Sequence, residues 1–237
     1  MLTVDFSRLD LRPNSLVLDA GCGTGRHLSE AFRRRGVHVV GIDMSHEDSI
    51  AARNIMKIME QEGEGGNGSW GVFKADITRL PFSDRSFDLV ICSEVLEHIP
   101  EDSKAVSEIT RVLKPGELAV VSVPRFFPES ICWALSKSYR NEPGGHVRIY
   151  RKRRLIEFIE SEGLRCEYAH WAHALHSPYW WLKCLVGPKN ESSRLVNIYH
   201  RFLVWDIVKR PWFTHIMEKL LNPLIAKSSV FYLRKKG

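Results

Sequence analysis

The chain has few of the features that mark extracellular, metal-clamped or membrane-spanning proteins. Its 237 residues contain only five cysteines, an odd number, and no Cys-x-x-Cys pair. This pattern argues against a disulfide framework or a structural zinc site and favours a reducing compartment. No uncharged apolar run of roughly 18 residues occurs, so we expect no membrane-spanning helix. No basic-then-apolar leader is visible, and we therefore expect a cytoplasmic location.

Acidic excess is also missing, and the basic excess is confined to the end of the chain. The formal net charge is +6, and residues 201–237 carry eight Lys or Arg side chains against Asp206 and Glu218. Residues 1–200 therefore sum to zero. The last tryptophans of the chain fall in the same part, so this part is both basic and aromatic.

Short apolar segments alternate with segments of helical spacing through the first half of the chain. We predict strands over 16–19, 37–42, 72–75, 87–92 and 118–123, with helices over 26–35, 47–62 and 103–113. This alternation is typical of a doubly wound, mostly parallel α/β sheet. Further along we predict an irregular segment over 125–150, a helix over 151–162, and two more strands over 164–175 and 229–233.

A glycine-rich turn follows the first predicted strand. Asp19 precedes three glycines at alternate positions, Gly21, Gly23 and Gly25. Glycine is needed where backbone approaches a ligand closely or takes a positive φ. A loop that holds a pyrophosphate would not place a carboxylate at the ligand, whereas a ligand with an ammonium group would favour one. S-adenosylmethionine carries an ammonium and a sulfonium group and no phosphate.

Residues 17–25 resemble the first motif, Asp-x-Gly-x-Gly-x-Gly, of the class I S-adenosylmethionine-dependent methyltransferases. The resemblance covers 15–124 closely and 146–175 loosely, and its further motifs lie at 80–82, 86–90, 94–98 and 111–116. It implies a Rossmann-like sheet of seven strands whose last two form an antiparallel hairpin. It also implies S-adenosylmethionine as the cofactor and methyl transfer as the activity.

Three acids at the ends of three predicted strands are candidates for binding this cofactor. They are Asp19, Asp43 and Asp76. Ligands of such sheets bind at the carboxyl ends of the strands, so we expect Asp43 to accept hydrogen bonds from both ribose hydroxyls. The resemblance implies that Asp76 and Ile77 contact the adenine, and that Ser93 begins the loop that faces the acceptor.

A nicotinamide-dependent oxidoreductase is the alternative interpretation of the glycine turn. Its fingerprint is Gly-x-Gly-x-x-Gly, and here the third glycine, Gly25, comes one residue early. Asp43 suits both interpretations, whereas Asp19 and the glycine spacing favour S-adenosylmethionine. A cofactor-binding protein that acts as a non-catalytic partner is a further alternative.

Two histidines are the candidate catalytic bases, because histidine titrates near neutral pH and an alcohol acceptor needs deprotonation. They are His98 and His146, in segments expected to border the cofactor. Glu94, Glu97 and His98 form Glu-x-x-Glu-His, which on one helical turn would share a face. With His146 they could hold a divalent ion, as in the metal-assisted O-methyltransferases that this arrangement resembles, but we favour no metal.

Three further histidines, His170, His173 and His176, are spaced by three. Because we predict a strand over 164–175, we expect these side chains to alternate between faces and not to converge on a metal. We expect them to have a structural role or to line the acceptor site.

The chain is predicted to divide into a cofactor-binding domain, 1–175 with 228–237, and a helical, aromatic-rich insertion over 176–227. The insertion combines tryptophan and tyrosine with lysine, arginine and apolar residues at helical spacing, as in Leu195, Ile198, Phe202 and Trp205. This pattern suits a lid over the acceptor or an element at a membrane interface. Nucleic acid is a less favoured partner, because the basic residues do not cluster until residues 234–236.

From these features we expect a methyltransferase that uses S-adenosylmethionine. The expected acceptor is a small molecule, a glycan or a lipid-linked compound, methylated at oxygen. We expect the protein to be cytoplasmic. The insertion adds the expectation of peripheral contact with a membrane.

Overall fold

Seven β-strands form one sheet in the computed structural model, which describes residues 2–209 and 211–237. Met1, in the predicted cofactor domain, and Arg210, in the predicted insertion, lie outside the described residues. The strands are β1 (Leu16–Ala20), β2 (His38–Asp43), β3 (Trp70–Lys74), β4 (Phe87–Ser93), β5 (Leu113–Pro124), β6 (Leu164–Ala172) and β7 (Ser228–Lys235).

The strands lie in the order β3-β2-β1-β4-β5-β7-β6, and β7 runs antiparallel to both of its neighbours. The pairs β1–β2, β2–β3, β1–β4 and β4–β5 are parallel. The predicted doubly wound, mostly parallel sheet is therefore confirmed, together with the antiparallel pairing of the last two strands.

Helices cover both faces of the sheet. Those that follow the first five strands and precede β6 are α1 (Arg26–Phe32), α2 (His46–Gln61), α3 (Asp102–Val112), α4 (Phe126–Leu135), α5 (Lys137–Arg140) and α6 (Lys152–Ser161). On one face, Leu28 of α1 and Met56 of α2 are fully buried with Val39 and Ile91 of the sheet. On the other face, Ile109 of α3 and Ile159 of α6 belong to a second apolar core. Burial of both faces explains why the central strands are almost continuously apolar.

The chain reverses its direction of travel across the sheet between β1 and β4. From β1 it moves outward through β2 to β3, and from β4 it moves the opposite way to β5. In an open α/β sheet, the crevice beside such a reversal is where ligands bind. The glycine turn after β1 lies at this position.

The segment over 125–150 contains two helices, so its prediction as irregular is wrong for α4 and α5. Pro128 suggested a break, but it is the third residue of α4. In the first turn of a helix the N–H groups have no intrahelical partner, so proline is tolerated there. Ser136 then begins α5 by accepting a hydrogen bond from the Tyr139 N–H at 3.2 Å.

Three helices lie between β6 and β7, as expected for the insertion. They are α7 (His176–Val186), α8 (Arg194–Lys209) and α9 (Trp212–Ile225). The strand β6 ends at Ala172, three residues before its predicted end, because His173 has a φ of 70° and turns the chain toward α7. Among the described residues, no helix is long and apolar enough to cross a membrane.

Candidate functional site

The glycine turn joins β1 to α1 with three left-handed residues. The φ angles of Gly21, Gly23 and Gly25 are 80°, 50° and 87°. A Cβ atom on Gly21 would lie 2.4 Å from Cγ2 of Val95, so the turn has no room for a side chain there. The N–H groups of Gly21 and Cys22 donate to the carbonyl of Ile42 at 2.8 Å, which fixes the turn against β2.

Asp43 connects the end of β2 to the same turn. Its Oδ2 accepts from the Gly23 N–H at 2.8 Å, and its Oδ1 accepts from the Ser45 N–H at 2.8 Å. The Ser45 hydroxyl in turn accepts from the Asp48 N–H at 3.1 Å and caps α2. Asp43 therefore holds the turn and the start of α2 in place while one edge of its carboxylate faces the cavity described next.

A cavity of about 590 Å³ opens beside the glycine turn, at the carboxyl ends of β1, β2 and β4. This volume is within the range of small-ligand sites. Its wall includes Gly21, Gly23, Asp43, Ile77, Ser93 and His98 among the predicted site residues. It also includes Glu94, which was considered only as a metal ligand. Among the predicted site residues, the cavity wall brings together positions as far apart in the sequence as Gly21 and His98.

A second cavity, of about 530 Å³, lies at the other end of the central strands, beside the amino ends of β1 and β4. Several of its charged side chains are paired, as in Lys114 Nζ and Asp88 Oδ1 at 2.6 Å. It contains no part of the glycine turn, and we assign the cofactor to the first cavity.

Asp19, Gly25 and Asp76 are not part of the cavity wall. Asp19 is 1% exposed, and its Oδ2 accepts from the Leu28 N–H at 3.0 Å. Burial raises the pKa of Asp19 to about 7. Through its hydrogen bond with the Leu28 N–H, the side chain connects the end of β1 to α1. Its predicted contact with the ammonium group stays a prediction.

Asp76 is exposed, directly before the buried Ile77 of the cavity wall. Its Oδ1 accepts from the N–H and the hydroxyl of Thr78, each at 2.8 Å. Its Oδ2 has no such role in this turn, and the predicted contact with the adenine stays a prediction.

Ser93 ends β4, Glu94 follows it, and both side chains contact Ser122 of β5. The Ser122 hydroxyl donates to Oε1 of Glu94 at 2.9 Å and lies 2.8 Å from the Ser93 hydroxyl. Because the Ser122 proton is used on Glu94, Ser93 is the donor in the second bond. Glu94 has a φ of 58° and begins the turn that leads to His98.

His98 has its tautomer fixed by the backbone. Its Nδ1 lies 2.9 Å from the carbonyl oxygen of Gly144, which can only accept, so Nδ1 carries the proton. The neutral ring therefore presents an unprotonated Nε2.

His146 forms a pair with a buried carboxylate that the sequence did not single out. Its Nδ1 lies 2.7 Å from Oε1 of Glu129 on α4, and Glu129 is 3% exposed. Burial raises the pKa of Glu129, but the hydrogen bond and charge of His146 and the charge of Lys227 outweigh it, so the net pKa lies below its usual value. Glu129 is thus a carboxylate that holds the His146 Nδ1–H, and Nε2 of His146 stays available.

The two candidate bases lie side by side. The ring centroids of His98 and His146 are 4.9 Å apart, with the rings edge to face. His98 lines the cofactor cavity, whereas His146 lies behind it on the α4 side. His98 thus borders the cavity as predicted, whereas for His146 only Gly144 of the same segment lies in the cavity wall. The catalytic role of both histidines stays a prediction.

The predicted metal-ligand set is only partly assembled. Ligand atoms of Glu97, His98 and His146 lie within 4.8 Å of one another, but Glu94 turns away to Ser122. The expected single helical turn is wrong, because Glu94 has a positive φ and only Leu96–His98 form a short 3-10 helix. Both carboxyl oxygens of Glu97 are buried and lack a hydrogen-bond partner, and burial beside Glu94 raises its pKa well above the usual value.

His170, His173 and His176 do not form one site. His170 lies between Tyr168 and Tyr232, with ring centroids 6.0 and 5.6 Å away. The rings of His173 and His176 are 5.7 Å apart, because β6 ends at Ala172 and the two residues do not alternate along a strand. Burial lowers the pKa of both side chains, that of His176 to about 4. The structural or acceptor-lining role expected for the three histidines stays a prediction.

Aromatic side chains of α5 and α7 lead away from His146. The Tyr139 ring lies 6.1 Å from His146 and 5.9 Å from Trp180, and Trp180 lies 5.8 Å from Tyr179. The Trp181 indole N–H donates to the carbonyl of Pro128 at 3.0 Å and ties α7 to α4. Lys227 lies over the Trp180 ring, with Nζ 5.5 Å from its centroid. The candidate base therefore has an aromatic side, formed by Tyr139 and continued by Trp180.

The sheet order, the glycine turn at the point of reversal and the acid at the end of β2 define an α/β domain of the nucleoside-cofactor-binding class. The family described as "Methyltransferase domain" matches residues 18–121. Over these residues the chain is similar to the S-adenosylmethionine-dependent methyltransferases, and this similarity supports S-adenosylmethionine as the cofactor.

Relatives and solved structures are consistent with this family. A ubiquinone biosynthesis O-methyltransferase of Hahella chejuensis is 37% identical over 124 residues, which are 52% of this chain and 49% of the relative. Cycloartenol-C-24-methyltransferase 1 of Oryza sativa subsp. japonica is 30% identical over 142 residues, 60% of this chain and 37% of the relative. The chain thus spans half or less of these two curated relatives.

Among solved structures, a putative methyltransferase of Bacillus halodurans C-125 is similar with a TM-score of 0.63 and 20% identity. The similarity covers 98% of this chain and 97% of that one. At this identity the likeness concerns the fold.

Proposed function

We propose that the chain transfers the methyl group of S-adenosylmethionine to an oxygen atom of a small, lipid-like acceptor. The observation that carries the proposal is the Glu129–His146 pair beside the cofactor cavity. An oxygen acceptor must lose a proton, and a histidine backed by a carboxylate is suited to remove it. The printed names of the relatives include an O-methyltransferase and a C-24-methyltransferase, so the relatives alone leave the methylated atom open.

The residues around the cavity fit the cofactor. Gly21 and Gly23 expose backbone at the cavity wall, where a Cβ on Gly21 would clash with Val95. We assign Asp43 to the ribose hydroxyls and the segment of Asp76 and Ile77 to the adenine. When bound, S-adenosylmethionine supplies an electrophilic methyl group on a sulfonium. The protein's task is then to align the acceptor oxygen and to remove its proton.

We assign the removal of the acceptor's proton to Nε2 of His146. Glu129 holds the Nδ1–H at 2.7 Å, which orients the ring and stabilises the imidazolium that forms when Nε2 takes a proton. His98 lies against this ring and lines the cavity, and we assign it the positioning of the acceptor oxygen through its own Nε2. An acceptor between the two rings and the cavity would be in reach of both.

The helix α7 is proposed as the lid over the acceptor. Trp180 packs near Tyr139, and Trp181 is hydrogen-bonded to α4, so α7 closes the site on the aromatic side. Such a wall excludes water and favours an acceptor with an apolar ring or tail.

The test is transfer of a labelled methyl group into small-molecule, glycan and lipid fractions. His146→Gln is expected to slow transfer by about 100-fold or more at unchanged S-adenosylmethionine affinity, since general bases contribute on this scale. His38→Gln is the matched control, because His38 hydrogen-bonds Ser69 at the amino end of β2, away from the cavity. Wild-type transfer by His146→Gln, or methylation at carbon, would contradict the assigned chemistry. Cofactor binding without labelling of any fraction would instead support the non-catalytic partner.

Glu97 favours a second, metal-assisted form of the same reaction. Its two buried oxygens lack partners, and one of them lies within 4.8 Å of a ring nitrogen of His98 and of one of His146. A divalent ion held there would replace the base by lowering the acceptor's pKa. Methyl transfer that continues in the presence of a chelator excludes this metal-assisted form. Loss of methyl transfer on chelation, with recovery on added magnesium or zinc, supports it, and His146 is then a metal ligand.

A further inference from the structure

Two helices of the insertion leave an unusually apolar surface uncovered. We define the α8–α9 face by Trp205 and Val208 of α8 and by Trp212, Ile216, Leu220 and Leu224 of α9. Trp212 is 74% exposed, and both Val208 and Leu220 are 69% exposed. On α9 these residues recur every fourth position, so they form one stripe along the helix. Contiguous exposed apolar surface of this kind marks an interaction site.

Among the described residues of α8 and α9, the Lys and Arg side chains are exposed, whereas the acids Asp206 and Glu218 are half-buried. Arg194, Arg201, Lys209 and Lys219 are all exposed on the same two helices. The acid Glu218 points inward, where its carboxylate accepts from the N–H groups of His173 and Leu175 at 3.2 and 3.1 Å. Apolar residues with tryptophan, bordered by cations whose long stems can lie along the apolar surface, suit the interface of an anionic bilayer.

Aromatic contacts connect this face to the candidate acceptor site. Tyr179, which adjoins Trp180 of the lid, lies 6.3 Å from Tyr199 of α8. From there, ring centroids follow at 5.8 Å to Phe202, 6.0 Å to Trp205 and 5.9 Å to Phe213 of α9. Trp212 adjoins Phe213 at 6.3 Å. A continuous aromatic path therefore runs from the exposed face to the ring beside His146.

We propose that the α8–α9 face docks the protein on the surface of a membrane that contains anionic phospholipids. Docking would place the aromatic path at the lipid, so an acceptor with an apolar tail could pass to the site without crossing water. The passage of an acceptor from the membrane to the site rests on the proposed function, whereas membrane binding itself does not. A lid segment or a second copy of the chain would cover the same apolar residues, but neither would need the surrounding cations.

The test is flotation of the full chain with vesicles of phosphatidylcholine, with and without phosphatidylglycerol. We expect binding to the anionic vesicles, at least about tenfold weaker binding to phosphatidylcholine alone, and loss of binding at high salt. Trp212→Glu with Leu220→Glu is expected to reduce binding by at least about tenfold, because both charges would enter the apolar interface. Ile58→Glu, at a residue of α2 that is 56% exposed, is the matched control and is expected to bind normally.

A second variant, Lys209→Glu with Lys219→Glu, leaves the apolar residues intact and is expected to weaken binding to anionic vesicles only. S-adenosylmethionine affinity serves as the check that each variant is folded, so a failure of membrane binding is distinguishable from a failure of the enzyme. Equal binding by wild type and both variants would overturn the proposal. A wild-type dimer that Trp212→Glu with Leu220→Glu dissociates, with no vesicle binding, would overturn it in favour of a second copy.

Discussion

Asp19 and Asp43 end neighbouring strands, but their surroundings give them different properties. Asp19 is enclosed beneath the turn, where burial raises its pKa to about 7, and it accepts from the Leu28 N–H. Asp43 lies on the cavity wall and accepts from two N–H groups of the turn and of the segment before α2. Asp19 therefore shapes the turn, and Asp43 is the acid that a bound ligand would meet.

Asp43→Ala is expected to lower S-adenosylmethionine affinity by roughly 10- to 100-fold, the loss typical of hydrogen bonds to a charged group. The measurement is isothermal titration of the variant and the wild type. Asp88→Ala is the control. Asp88 also accepts a hydrogen bond from a backbone N–H, that of Leu16 at 2.9 Å, but it lies at the amino end of β4, away from the cofactor cavity. Unchanged affinity in Asp43→Ala would contradict the ribose assignment.

At this scale the sequence pointed to His98 and His146 as candidate bases, a role that stays a prediction, and it did not point to Glu129. Both histidines follow motifs or turns that the family resemblance makes visible. Glu129 lies 17 residues before His146 in a segment predicted to be irregular, and the pair forms only because α4 packs beside the loop that carries His146. A non-local pairing of this kind leaves no periodic signal in the sequence, although the helical spacing of Glu129, Cys132 and Trp133 was present.

The turn between β1 and α1 depends on a close approach of two elements. Val95, which follows β4, packs onto the face of Gly21 where a Cβ would lie, 2.4 Å from its Cγ2. Gly23 also has a positive φ, yet nothing lies within 4 Å of a Cβ built there. A side chain at Gly21 would therefore meet both a steric clash and backbone strain, whereas a side chain at Gly23 would meet backbone strain alone.

Gly21→Ala is expected to lower the free energy of unfolding by about 2 to 5 kcal/mol, since overpacking adds to the left-handed strain. Gly23→Ala carries the strain alone and is expected to cost about 1 to 2 kcal/mol. Denaturant titration of both variants is the measurement. Adding Val95→Ala should recover part of the loss in Gly21→Ala and none in Gly23→Ala. Equal losses in the two single variants would contradict the packing explanation.

Helices and strands of the cofactor half were predictable because each has a clear period and a clear stop. The errors fall where one residue changes the geometry: Pro128 inside the first turn of α4, and His173 with its positive φ at the end of β6. Glu94 is a third case, since its φ of 58° breaks the helical turn that Glu-x-x-Glu-His suggested. Periodicity does not reveal such single-residue conformations.

The whole molecule is tied together by buried histidines as well as by its two apolar cores. Nε2 of His27 accepts from the N–H groups of Thr3 and Val4 at 3.2 and 3.4 Å, and so fastens the first residues to α1. Nε2 of His173 lies 3.2 Å from the Thr3 hydroxyl. Burial lowers the pKa of His27 to about 3 and that of His173 well below the usual value.

These histidines make the fold sensitive to acid. Between pH 6.5 and the lowered folded-state pKa, the unfolded chain binds more protons than the folded chain, so the free energy of unfolding falls as the pH falls. Each such histidine contributes about 1.4 kcal/mol per pH unit within this window. The raised pKa of Asp19 acts in the opposite direction, because the folded state then binds more protons between about pH 4 and 7.

His27→Gln keeps an oxygen that can accept the two N–H groups but removes the titration. Between pH 6 and pH 4 we expect the variant to lose about 2 kcal/mol less unfolding free energy than the wild type. Urea titrations at both pH values are the measurement. A pH dependence identical to that of the wild type would show that burial of His27 does not govern acid unfolding.

At the scale of the molecule, the sequence predicted the doubly wound sheet, the antiparallel last pair and the place of the helical insertion. The outward orientation of the α8–α9 face could not be predicted, because an apolar stripe at helical spacing is equally typical of a helix buried on the sheet. In the structure α7 is tied to α4, and α8 and α9 leave Val208, Trp212 and Leu220 exposed.

The proposed methyl transfer depends on the cavity beside Gly21 and Asp43 accepting S-adenosylmethionine. The most direct measurement is isothermal titration of the chain with S-adenosylmethionine and, separately, with a nicotinamide dinucleotide. We predict saturable one-to-one binding of S-adenosylmethionine and no binding of the dinucleotide. Binding of the dinucleotide alone, or of neither compound by a folded sample, would contradict the account.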